Sequence, residues 1–470
     1  MNKLLLSSLA AALLCADDTE IQNLKAQMAQ MEAMMKAMQE KIEHLEHQRP
    51  AQTADADEIH HDNAHAAHNL PKAVSDFDLS LVLDTSYVSR SQKDEQLAHL
   101  ELPGIAHGLF APHNHNGSTH PTYNAQNGFN LNYAEMGIHS ELTSNLDAEV
   151  LLHFSEGGVD IEEAFFTAHD LPYNLRLKGG KFLSDFGYLN NQHHHEWSFS
   201  DMPLVYEAFL GNHGIDEIGA QLQWTAPTDT YLMFGIEALQ GKNEGMFAQA
   251  AINNPYAGQE EEVLSGSAQQ PSLYLGYVKT SADIGDATIL AGASWAHGNT
   301  RINHFSDETP YAISAKSDLY GLDLTMHYRI DPHSALIWQS EWLYRDMEGT
   351  YIADSDNDVS TVNELVYSPI HKKQAGYYTQ LVYTPSEEWG IGVRYDAIYR
   401  NHITGTDQFA PENMDQFSAM VEYRSGEKAR YRLQYTHSNA FFNEAQERQN
   451  LDSLIFSVNL LLGSHSDHED

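Results

Sequence analysis

The chain has 470 residues, with 66 Asp and Glu against 26 Lys and Arg, a formal net charge of −40. That balance excludes a nucleic-acid binder, which needs clustered Lys and Arg to displace phosphate counterions, and it favours attraction of cations. Aromatics make up 10% of the residues, with 24 tyrosines, too many for a disordered chain.

The first segment, MNKLLLSSLAAALLCADD, has a positive Lys3 and then an apolar run too short to span a bilayer. It reads as a secretory signal peptide over residues 1–16. The one cysteine, Cys15, lies at its end. Cleavage after Ala16 leaves a mature chain without cysteine, and lipidation of Cys15 is the alternative. Residues 17–49 place Ile21, Leu24, Met28, Met31, Met35, Met38, Ile42 and Leu45 at alternating spacings of three and four. This pattern predicts an α-helical coiled coil of about four heptads, ended by Pro50. Residues 50–74 are rich in Ala, Asp and His and read as a flexible linker carrying His60, His61, His65 and His68.

From residue 75 the texture changes to short alternating segments. In RYRLQYTH (430–437), Tyr431, Leu433 and Tyr435 share one face and Arg432 and Gln434 the other. FSAMVEYR (417–424) and LIFSVNLLL (454–462) repeat the pattern. Period-two alternation with aromatics near strand ends predicts an all-β transmembrane barrel over 75–463, one face to lipid and one to a polar lumen. Long polar loops are expected at 243–271, 346–373 and 401–415, with short turns such as TAPTD (225–229) and YTPSEEW (383–389) between them. At about 10 residues per strand, roughly 16 antiparallel strands fit, a number that leaves an aqueous channel. Residues 464–470 form a His/acidic tail.

Within the barrel, LRLKGGKFLSDFGYLNNQHHHEWSFSDMPLVYEAFLG (175–211) resembles a segment of a Gram-negative outer-membrane family. That family is often labelled zinc-regulated outer-membrane receptor, sometimes TonB-dependent, and is related to the phosphate-selective porin superfamily. The Lys-Gly-Gly-Lys-Phe stretch at 178–182 and Phe186-Gly187 carry the likeness, and 374–396 resembles a late hairpin of the superfamily. The resemblance implies an outer-membrane channel, typically a homotrimer, with lipid and lipopolysaccharide around it and the coiled coil in the periplasm. It also implies that the loop after 175–183 folds into the lumen as a constriction. A TonB-dependent receptor needs a plug domain, whereas here the expected N-terminal region is a coiled coil and a linker. The expectation is therefore an open or loop-constricted pore rather than an energised receptor.

The 27 histidines are unevenly spread. Neutral imidazole with carboxylate is a borderline ligand set that suits Zn²⁺, Cu²⁺ or Ni²⁺. Candidate metal contacts are His193, His195, Glu196 and Asp201 in NNQHHHEWSFSD, which the resemblance puts near the pore. Others are His60, His61, His65 and His68 in the linker, His113 and His115 in HGLFAPHNHNGSTH, and His465 and His468 in the tail. Lacking a fixed four-ligand spacing, they suit weak exchangeable sites rather than a tightly bound cofactor. Each stretch also reads as a hydrated polar loop. If 193–196 is extended, His193 and His195 face one side and His194 and Glu196 the other. Arg176, Lys178 and Lys181 are the basic exceptions and line one wall. DSDND (354–358) starts like a calcium loop and then lacks its Gly and Glu. There is no His-Glu-x-x-His, nucleophile elbow or phosphate-cradling Gly loop, so no enzyme is expected. The favoured reading is a porin for passive uptake of small solutes, with divalent cations such as zinc the favoured substrate. The alternatives are a siderophore or chelate porin and a structural or adhesion protein.

Overall fold

The computed structural model describes residues 77–463, apart from short stretches between 108 and 122, 244 and 269, 306 and 309, and 357 and 363. The signal segment, the coiled-coil segment, the linker with His60, His61, His65 and His68, and the tail with His465 and His468 lie outside the described residues.

Sixteen strands form the wall. In chain order they are β1 Asp78–Arg90, β2 Gly128–Thr143, β3 Leu146–Ser155, β4 Gly158–Leu171, β5 Leu175–Leu183, β6 Asp216–Thr225, β7 Tyr231–Leu239 and β8 Leu273–Ile284. They continue with β9 Ala287–His304, β10 Tyr311–Asp331, β11 Ser334–Asp354, β12 Leu365–Ser386, β13 Trp389–Thr404, β14 Met414–Arg424, β15 Ala429–Phe442 and β16 Arg448–Gly463. Each pairs antiparallel with the next, and β16 returns to β1 with Tyr87 opposite Phe456. Closure leaves no strand edge unpaired, the condition a sheet must meet in hydrocarbon.

The alternation sets which way each side chain points. On β15, Leu433 and Tyr435 are exposed outward at 43% and 45%, while Arg432 and Gln434 are buried inside. On β14, Phe417 and Val421 face out and Ser418 and Glu422 face in. On β16, Leu454 and Phe456 face out and Ser453 and Ser457 face in. The outside is thus apolar and the inside polar across much of the wall.

At one end the strands are joined by tight turns, such as 284–287 and 424–429, where Gly285 and Gly426 take positive φ. The other end carries the long connections 91–127, 184–215 and 240–272. Two expected loops are shorter than the sequence suggested. Most of 346–373 belongs to β11 and β12, and β13 runs to Thr404. The polar residues there alternate within long strands rather than forming a loop. Asp354, at the start of the calcium-like stretch, is buried and accepts a hydrogen bond from the Tyr256 hydroxyl at 2.5 Å.

The three long connections meet inside the barrel. Leu97, Leu100 and Leu102 from the first, Val205 and Phe209 from the second, and Phe247 from the third pack with Leu319, Leu343, Ile398 and Phe441 of the wall. This apolar core lies within an otherwise polar lumen and seats the loop that carries the histidines.

Candidate functional site

The loop 184–215 leaves β5 and crosses the lumen to return at β6. The conformational demand begins in the strand, where Gly180 has φ +138° and a Cβ would meet the backbone of Ala164 and Phe165. It continues at Gly187, φ +67°, where a Cβ would collide with the Glu341 carboxylate and the Tyr206 hydroxyl. The Gly-Gly and Phe-Gly of the sequence are therefore positions of close backbone approach.

Polar wall residues take up the loop's backbone groups, as a buried irregular segment requires. Leu183 N–H donates to Glu163 at 2.7 Å and Asp185 N–H to Glu237 at 3.0 Å. Glu341 on β11 accepts from Tyr188 N–H (2.9 Å), Leu189 N–H (3.0 Å), the Tyr206 hydroxyl (2.6 Å) and the Tyr378 hydroxyl (2.5 Å). Ser200 N–H donates to Gln434 on β15 at 2.7 Å, and Leu204 N–H to Asp396 on β13 at 2.9 Å. A helix of seven residues, Leu204–Leu210, then buries Val205 and Phe209 in the loop core.

Residues 193–196 are not extended. His193 is extended, but His194–Glu196 form a 3₁₀ turn, and Glu196 turns back to accept the His193 N–H at 3.0 Å. The rings of His193 and His195 still lie side by side, 5.7 Å apart, while His194 Nδ1 sits 2.9 Å from Asp84 on β1. His193 Nε2 is 3.1 Å from Glu163, and its Nδ1 is 4.0 Å from Glu135. His153 on β3 joins the same cluster, 2.8 Å from Glu135 and 3.3 Å from Glu162. The Tyr133 hydroxyl lies 3.3 Å from His195 Nδ1. Burial alone would lower the pKa of His193, but Glu163, Glu135 and Glu196 outweigh it and hold the imidazolium well above its ordinary value.

Asp201 is engaged in an ion pair, 2.8 Å from Arg394, and accepts from Gln434 at 2.7 Å. Trp197 and Phe199 are buried, with the Arg394 guanidinium 4.8 Å from the Phe199 ring centre. His113 and His115 lie on a small hairpin in which the backbone of 113–115 pairs with 118–120. The structure therefore brings His193 and His195 together with Glu135 and His153, which the sequence reading did not single out, and separates them from Asp201. Among the described residues, no three His, Cys, Asp or Glu side chains converge as a metal-holding group.

Below the loop, towards the tight-turn end, lies a cavity of about 980 Å³. It is bounded by Leu183–Glu196 and by the inner faces of β2–β10. Arg176 and Lys178 line it, as the sequence suggested, but Lys181 turns away to pair with Asp216. Carboxylates outnumber lysine and arginine there, with Asp147, Glu149, Glu163, Asp185, Glu196 and Asp323 against Arg176, Lys178 and Lys279, and His139, His169 and His193 line the same space. Burial alone would raise Asp185, but Lys279 and Lys178 hold it down at about 2. The arrangement is a polar, acidic chamber behind a stapled loop.

No family model matches the chain. An uncharacterized protein of Aquifex aeolicus (strain VF5) is 39% identical over 395 residues, covering 83% of this chain and 79% of that protein. Among solved structures, OmpT, an outer membrane protein of Vibrio cholerae, matches with a TM-score of 0.47 at 9% identity, over 83% of this chain and all of that one. An anion-selective porin from Comamonas acidovorans gives 0.47 at 10% identity, over 82% and 99% of the two chains. The outer membrane channel DcaP of Acinetobacter baumannii gives 0.45 at 11% identity, over 82% and 96%.

Proposed function

Since this chain belongs to one family with the uncharacterized Aquifex aeolicus protein, whose name assigns no activity, we propose a function from the barrel itself: a Gram-negative outer-membrane channel for small solutes. The observation that carries the reading is the closed sixteen-strand wall, apolar outside and polar within, with 184–215 folded across its lumen. Passage is passive and prefers cations, because the chain carries a net charge of −40 and the chamber's carboxylates outnumber its lysines and arginines, which focuses positive ions. Divalent cations, zinc foremost, are the proposed favoured solutes. Imidazole and carboxylate along the path bind them weakly and exchangeably, which suits conduction. The proposed assembly is a homotrimer in outer-membrane lipid.

The test is planar-bilayer recording of the purified chain. A cation-selective reversal potential in asymmetric KCl, with Zn²⁺ current reduced in His193→Ala/His195→Ala, is the expected result. Anion selectivity would overturn the cation preference, and Zn²⁺ permeation indifferent to both histidines would overturn the metal part. A barrel that never conducts would be a sealed structural protein.

A further inference from the structure

Two inward cations stand apart from the acidic chamber. Arg345 on β11 and Lys372 on β12 are 1% and 3% exposed, and neither lines that cavity. Register sets them close, since Arg345 lies opposite Gln374, two residues along the strand from Lys372. Arg345 Nε donates to Gln374 Oε1 at 2.8 Å. Gln374 Nε2 and Lys372 Nζ both donate to the Gly104 carbonyl, at 3.0 and 2.9 Å. The three long connections meet here: Gly104 comes from the first, Phe209 of the second has its ring centre 5.2 Å from the guanidinium, and Met246 comes from the third. On the outer face, His371 and Lys373 share Asp346 at 2.6 and 3.7 Å. Inside, among the described residues, no carboxylate acts on Arg345 or Lys372, and the charge that does bear on Lys372 is Arg345 itself. Their donors are also underused. Arg345 Nη1 finds only the Met246 sulfur, at 3.8 Å, and Lys372 uses one of its three hydrogens.

We propose that Arg345 and Lys372 together bind one small inorganic anion, chloride foremost, which ties β11 and β12 to the three connections and keeps them seated. Two like charges buried side by side are costly, and spare buried donors call for an acceptor from outside the protein. Water would fill the donors but leave both charges uncompensated, whereas one anion does both. Sulfur and ring surfaces beside the donors are polarizable and suit a halide. The site goes beyond the channel reading and does not depend on it, because a barrel that fails to conduct still reports the binding.

The experiment compares sodium chloride with sodium gluconate at equal ionic strength, on the full chain in detergent. Limited proteolysis of the three connections is expected to slow about tenfold in chloride at about ten times its Kd. Chlorine-35 resonance is expected to broaden in the presence of the protein, and bromide to reverse the broadening by competition. Lys372→Met removes one charge at nearly the same length and abolishes both effects, while Lys372→Arg keeps them. Equal proteolysis of the unmodified chain in the two salts, with no chlorine-35 broadening, would mean that water alone fills the donors and would overturn the proposal. A chloride effect that persists in folded Lys372→Met would overturn it as well, by placing the anion elsewhere.

Discussion

Glu341 shows how much one inward side chain of β11 holds in place. Two loop N–H groups and two tyrosine hydroxyls donate to its carboxylate, and it is 1% exposed. Truncating it leaves four donors without their acceptor in a buried setting. Glu341→Ala is expected to destabilise the seated loop by about 3–5 kcal/mol, and Glu341→Gln by less, because the amide oxygen still accepts. Urea unfolding in detergent, with limited proteolysis of 184–215 as a local probe, measures both. Gly187→Ala meets the same carboxylate from the other side and adds a Cβ to a left-handed residue. A loss of about 1–3 kcal/mol is expected. Nothing in the order of letters marks Glu341 as special, since three of its four partners, Tyr188, Leu189 and Tyr206, lie more than a hundred residues away in the chain.

At the scale of the element, the loop 184–215 is a pH-sensitive segment. His193 faces Glu135 on β2, Glu163 on β4 and Glu196 on its own turn, with His153 of β3 and His195 nearby. Its pKa is raised above 6.5, so its contribution is complete below pH 6.5 and is lost as pH rises through the raised value. Glu207 acts in the same direction. Burial first, then Asp201, push its carboxyl up to about 8 against the pull of Arg90 and Arg394. The unfolded chain releases that proton near 4.5 and the folded one near 8, so stability falls across that interval as pH rises. Asp185, held at about 2, sets the acid side, with its stability lost as pH falls from 3.8 toward that value. Amide exchange in 184–215 is therefore expected to speed up from pH 5.5 to pH 9, and His193→Gln to flatten that rise. An exchange rate for the loop that follows only the intrinsic base catalysis seen elsewhere in the barrel would contradict this. The strands behave differently, because their energetics come from the face that each residue presents. Ile236 on β7 is 61% exposed on the outer face. Ile236→Lys is expected to lose about 2–4 kcal/mol if the position lies near the bilayer midplane, and less nearer an interface. Unfolding titrations in vesicles decide that depth.

For the whole molecule, the alternating segments of the sequence, Leu433 and Tyr435 against Arg432 and Gln434 among them, were enough to establish a barrel of about sixteen strands. They suffice because each strand's polarity is a local, period-two property that every residue expresses in its own position. Loop boundaries were less legible. Residues 346–373 read as a loop because their polar residues were weighed by composition, yet most extend β11 and β12. The resemblance likewise led correctly to a loop folded across the lumen, and Gly180 and Gly187 mark it in the chain. What only the tertiary structure decided is who meets whom inside. It joined His193 and His195 to Glu135 and His153, assigned Asp201 to Arg394, turned Lys181 toward Asp216 and left Lys178 over Phe165. Closing a sheet into a barrel brings residues separated by hundreds of positions within hydrogen-bonding reach, and that proximity depends on register and strand order rather than on any local pattern.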